Sequence, residues 1–168
     1  RSRGILCLVL LGRTEEAQNQ FKTWMPPDVH DTAHAYYSLA KAHLALRENE
    51  YRTALDEAIQ SLIFETKDLS TFPESLLLSA LCYEHLEEWH RARDVYYEIA
   101  RLFGQIHWAE HAIQRLRHIM TEGLTAEKEH ADIRKVFFGV SEDMNKKVNT
   151  FLESLDSDQK ATEENESG

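Results

Sequence analysis

The stretch Pro73-ESLLLSALCYEHLEEWHRARDVYYEIARLF-Gly104 decides how the rest of the chain is read. Its first half places Leu76, Leu77, Ala80 and Tyr83 at helical spacing, and its second half does the same with Trp89, Ala92, Val95, Tyr96, Ile99 and Leu102. Thr71-Phe72-Pro73-Glu74 supplies a start signal, with a cap threonine, a first-turn proline and an acid at the third position. Leu86-Glu87-Glu88 leaves a short polar break between the halves, so this segment predicts two antiparallel helices joined by a tight turn.

The same pattern recurs upstream. Glu15-Glu16-Ala17-x3-Phe21, Arg52-Thr53-Ala54-x3-Ala58 and Arg91-Ala92-x3-Tyr96 place their alanines 37 and 38 residues apart. In the first helix of each pair, Tyr36-x2-Leu39-Ala40-x2-His43 parallels Leu76-x2-Ser79-Ala80-x2-Tyr83, provided two extra residues lengthen the turn around Arg47 to Glu50. Tyr51 and Trp89 each stand three residues ahead of the following alanine. Helices are expected at about 3–11, 14–25, 31–47, 50–66, 73–87, 89–103, 106–121, 125–138 and 141–155.

Over about residues 4–104 this arrangement resembles the tetratricopeptide-repeat family, whose unit of about 34 residues carries W-x2-L-G-x2-Y early and A-x3-F later. The resemblance implies an all-α fold: a right-handed superhelical solenoid of antiparallel helix hairpins, with repeats at about 1–27, 31–66 and 73–104. Capping helices would fill 106–155, where Val136, Phe137, Phe138, Val140, Val148, Phe151, Leu152 and Leu155 form apolar stripes that cover the core or self-associate. The physical logic stands apart from the name. Small residues let paired helices approach closely, and each hairpin needs another stacked on it to bury its second face.

Composition agrees. The 168 residues are 42% hydrophobic and 29% charged, with 6 Gly and 3 Pro, which suits helices and excludes a disordered or collagen-like chain. The longest apolar run, Ile5 to Leu11, is too short to cross a bilayer. A net charge of −10 with no basic run argues against nucleic acid and anionic membrane surfaces as partners. Five acids against Lys160, and no apolar residue larger than alanine, lead us to expect a disordered acidic tail over 156–168. Cys7 and Cys82 both fall in apolar helical patterns and are expected as buried free thiols, in keeping with a reducing compartment, cytoplasmic or nuclear. A start at Arg1-Ser2-Arg3-Gly4 rather than Met leads us to expect a piece of a longer protein.

No enzymatic chemistry is expected. His30/His34 and His107/His111 have i, i+4 spacing, but there is no His-Glu-x-x-His and no cysteine ligand spacing, so no metal or cofactor is assigned. Nucleophile-elbow and phosphate-loop motifs are absent. The work left is binding protein. The resemblance implies a concave groove lined by the first helix of each hairpin, which carries over to His34, Tyr37, Lys41 and Leu44 in the middle unit and to Glu74, Leu77, Leu81 and Glu84 in the third. The expected role is a scaffold within a larger assembly that binds an apolar or basic peptide or helix. Alternatives are a chaperone adaptor that captures an acidic C-terminal peptide, or a regulatory module of an enzyme elsewhere in the full-length chain. Lys41 alone offers the adaptor reading a positive charge, against Glu74 and Glu84.

Overall fold

The computed structural model of the protein describes residues 1–28, 31, 33–64, 70–104, 107–125 and 141–166. Every regular element among them is an α-helix: α1 Ser2–Leu10, α2 Thr14–Thr23, α3 Ala33–Arg47, α4 Tyr51–Phe64, α5 Phe72–His85, α6 Trp89–Leu102, α7 His107–Thr121 and α8 Ser141–Glu166. The apolar period therefore reports the element type along the whole described chain. The helix expected over 125–138 and its stripe Val136, Phe137, Phe138 and Val140 lie outside the described residues.

One turn is used four times. After α1, the amides of Leu11, Gly12 and Arg13 donate to the carbonyls of Cys7, Val9 and Leu8 at 2.9, 3.0 and 2.9 Å. Glu48, Asn49 and Glu50 repeat this pattern after α3, as do Leu86, Glu87 and Glu88 after α5 and Glu122, Gly123 and Leu124 after α7. The central residue is left-handed each time, with φ of 78° at Gly12, 61° at Asn49, 59° at Glu87 and 61° at Gly123. This crossed pair of bonds satisfies carbonyls that a helix end leaves open. It also corrects the sequence alignment: the turns after α3 and α5 have equal length, and no residues are inserted between Arg47 and Glu50. Residues of α3 therefore correspond to α5 residues 38 further on, so Ala42 rather than Ala40 takes the place of Ala80.

Helices pack on their neighbours in the chain. α3 lies along α4, α4 along α5, α5 along α6 and α6 along α7, while α1 packs against both α2 and α3. Alanines make this close approach possible: Ala42, Ala54, Ala58, Ala80, Ala92 and Ala112 are all fully buried. One cluster joins Leu77, Ala80, Ala92, Tyr96, Ile99, Leu116 and Ile119 to Val148 and Leu152 of α8. Phe151 and Leu155 also pack against this cluster. A second joins Ile5, Leu6 and Val9 to Ala17, Leu39, Ala42 and Ala58.

Three local expectations change. α8 continues to Glu166, where a disordered tail from Asp156 was expected. Gln159, Lys160, Ala161, Glu163 and Glu164 are good helix formers, and no Gly or Pro interrupts them. Arg117 also holds Asp156 at 2.5 Å. Thr71 is the N-cap of α5 but makes no side-chain cap bond, because its backbone sits at φ −91°, ψ −11° rather than in the extended cap conformation. Cys7 is exposed, since Ile5, Leu6 and Val9 take the inner face of α1, whereas Cys82 is buried.

Burial pushes the Cys82 thiol up to about 11. A thiol reagent is therefore expected to modify one cysteine in the native protein and two after denaturation. Fast labelling of both native thiols would contradict the packing of α5. Because the unfolded chain releases this proton at lower pH than the folded one, Cys82 contributes a loss of stability as pH rises from about 9 towards about 11. Among the described residues no helix is long and apolar enough to cross a membrane.

Candidate functional site

α2 departs from the pattern of close neighbours. α4 packs closely along α5 and α6 along α7, but the backbone of α2 does not approach that of α3 as closely. The shared turn gives the register needed to see why. On α5 the face toward α4 carries Ser75, Ser79 and Cys82, all buried, and Ser75 Oγ donates to Ser61 Oγ of α4 at 2.9 Å. Ser61 Oγ in turn donates to Ala35 O at 2.9 Å. The corresponding residues of α3 are Tyr37, Lys41 and Leu44. On the other side of the joint, α4 offers Ala58 and Ser61 where α2 offers Phe21 and Trp24. Small residues meet small ones at the α4–α5 joint, and large ones meet large ones at the α2–α3 joint. Side-chain size sets how near two helix axes come, so α2 stands off from α3.

The gap is a cleft of about 380 Å³. Gln18, Phe21 and Lys22 form one wall, and Tyr37, Lys41, Leu44 and Ala45 form the other. Glu48 and Glu50 of the turn close one end, with Thr53 and Glu57 of α4 beside them. Aromatic rings fill the opposite end. Tyr37 meets Phe21 at 5.1 Å and Trp24 at 5.8 Å between centroids, both edge to face, an arrangement that fixes ring orientation. His34 adds its ring 6.1 Å from Tyr37 and 4.6 Å from Phe64, with Nδ1 3.1 Å from Pro27 O.

The charges are unevenly matched. Lys41 Nζ is ion-paired with Glu57 and lies 5.8 Å from the Tyr37 ring centre. Gln18 Nε2 donates to Glu48 Oε1 at 2.8 Å, bridging the two walls with a neutral donor. Glu50 has no ion pair among the described residues. One end of the cleft is therefore aromatic, and the other carries the carboxylates of Glu48 and Glu50, neither of which is in an ion pair among the described residues.

The two groups of groove residues read from the sequence do not share a stripe. Tyr37, Lys41 and Leu44 line the cleft, and His34 borders it. Glu74, Leu77, Leu81 and Glu84 each stand two residues beyond the equivalents of those positions, because the turns after α3 and α5 are equally long, and they fall on another face of α5. Glu74 accepts from or pairs with His43 Nε2 at 2.7 Å, tying α5 to α3. Leu77 is part of the core, with Leu81 packed against it. Glu84 is 7% exposed and is held by Arg115, whose Nε donates to Glu84 Oε1 at 3.0 Å. The wall supplied by α2 escaped the sequence reading. Its signal lay in the repeated motif, where Ala17-x3-Phe21 carries a large residue and Ala54-x3-Ala58 a small one.

A second cleft of about 450 Å³ lies between α6 and α8, lined by Tyr97, Lys146, Lys147, Thr150, Phe151 and Ser154. It contains none of the expected groove residues, but it does include Phe151 of the C-terminal apolar stripe. Among the described residues, no group of three or more His, Cys, Asp or Glu side chains is arranged to hold a metal ion. No family model, curated protein or solved structure matches the chain.

Proposed function

We propose that the protein is a protein-binding module of the tetratricopeptide-repeat type, a non-enzymatic scaffold that holds a segment of a partner protein. The four equivalent turns and the alanine-lined joints between successive helices support a stacked-hairpin solenoid. The α2–α3 cleft carries the binding reading, because the fold closes the corresponding α4–α5 joint and leaves this one open. Concave sites with an apolar floor and a few fixed polar groups are where ligands bind. An acidic chaperone peptide is the poorer fit, since Glu57 already takes up the charge of Lys41 and the far end is acidic. A cytoplasmic or nuclear setting accords with two free cysteines.

Panning a displayed library of random 12-residue peptides on the folded protein tests this reading. Selected peptides are expected to shift the backbone amide resonances of α2 and α3 and to lose most of their binding in Tyr37→Ala. A library that yields no binder, or binders that move only α6 and α8, would sink it.

A further inference from the structure

We infer that the α2–α3 cleft takes a segment with one large apolar side chain and, a few residues along, a lysine or arginine. The inference rests on the binding-module reading and adds the chemistry of the occupant. The cleft, at about 380 Å³, is near the small end of ligand sites, which run from about 300 to 1,000 Å³. It has room for an anchoring side chain, not for a whole added helix. Phe21, Tyr37 and Leu44 offer that anchor ring edges and a branched aliphatic surface.

The acidic end fixes the second element. Glu48 receives one neutral hydrogen bond from Gln18, and Glu50 has no ion pair among the described residues. Glu57 is neutralised by Lys41, so the cleft carboxylates left without an ion pair among the described residues, Glu48 and Glu50, lie together at the turn. A cation placed there gains two carboxylates, and the chain's net charge of −10 draws it in from a distance. Tyr37 on α3 and Glu48, the first residue after it, are eleven residues apart, roughly 16 Å along the helix axis at about 1.5 Å per residue. An extended segment covers that span in about five residues at roughly 3.3 Å each, and the reach of a long basic side chain shortens it further. Lys22, on the α2 wall beside Phe21, disfavours a second cation at the aromatic end and so sets the direction of the bound segment.

Three synthetic 12-residue probes in an Ala/Gln/Gly background separate these elements. One carries Phe and Arg four residues apart, one Phe and Glu, and one Ala and Arg. In amide-resonance titrations the Phe/Arg probe is expected to move the signals of Gln18 to Lys22 and Tyr37 to Glu50. The other two are expected to bind roughly tenfold more weakly, since one reverses a charge contact and the other removes the anchor. In protein carrying both Glu48→Lys and Glu50→Lys, on exposed turn positions, the preference should invert toward the Phe/Glu probe. Equal binding of the Arg and Glu probes, or an unchanged Arg preference in the charge-reversed protein, overturns the inference and leaves the module reading intact. No movement with any probe also overturns it, and the displayed library then decides the module reading separately.

Discussion

Tyr96→Ala is expected to destabilise the protein by about 3–5 kcal/mol, the cost of removing a large buried aromatic ring. Tyr96 is fully buried and sits where α5, α6, α7 and α8 meet, in one cluster with Ala80, Ala92, Leu116 and Val148. Tyr96→Phe should behave differently. The Tyr96 hydroxyl is buried without a hydrogen bond of good geometry, and burial, followed by the charge of Glu84, pushes its phenol well up. Deleting an unsatisfied polar atom is close to neutral or stabilising. Urea denaturation of both variants checks this; a loss above about 1 kcal/mol for Tyr96→Phe would show that the hydroxyl is bonded to Glu84 or Arg115.

Ala92→Leu is expected to lower stability by about 1–3 kcal/mol through overpacking. Ala92 begins the inner stripe of α6, its amide donates to Glu88 O at 3.1 Å, and it shares a buried cluster with Ala80. A leucine there must push α6 away from its neighbours or adopt a strained rotamer. Gln20→Leu, on the exposed face of α2, is the matched control and should change stability by no more than about 0.5 kcal/mol. Similar thermal shifts in the two variants would mean that α5 and α6 do not meet along the alanines.

Helix positions were legible because period and punctuation agreed. Thr14, Trp89 and Ser141 each open a helix where the sequence places a start, and Tyr51 opens one a residue later than expected. Alanine spacing likewise located the second helix of each pair, since Ala17, Ala54 and Ala92 each donate to the last turn residue before their helix. The first helices were harder. Tyr36-x2-Leu39-Ala40 and Leu76-x2-Ser79-Ala80 match in residue type, yet the turn places Ala42 in register with Ala80. Asn49 and Glu87 carry the left-handed residue that Gly12 and Gly123 make obvious elsewhere, so two of the four turns had no glycine to mark them.

That slip of two residues explains the mixed outcome at the site. Tyr37, Lys41 and Leu44 lie on one helix, so their shared place on the cleft does not depend on the register of the turn. Glu84 stands two residues beyond Cys82, the true equivalent of Leu44, and is the buried partner of Arg115. The α2 wall needed a comparison of sizes between equivalent joints, Phe21 and Trp24 against Ala58 and Ser61. Such a comparison has meaning only after the register is known.

Packing between chain neighbours has a kinetic consequence. Nearly every contact that holds a helix here is made with an element one or two steps away along the chain. Little loop entropy must be lost before such contacts form, so assembly can start at any helix pair and spread outward. Unfolding is expected to run the same way, starting from the helices with the fewest neighbours. The α2–α3 joint, already parted, is the natural place for that fraying to stop or begin. A partner seated there would act as a clasp, setting how far an opening at the first helices travels into the rest of the molecule.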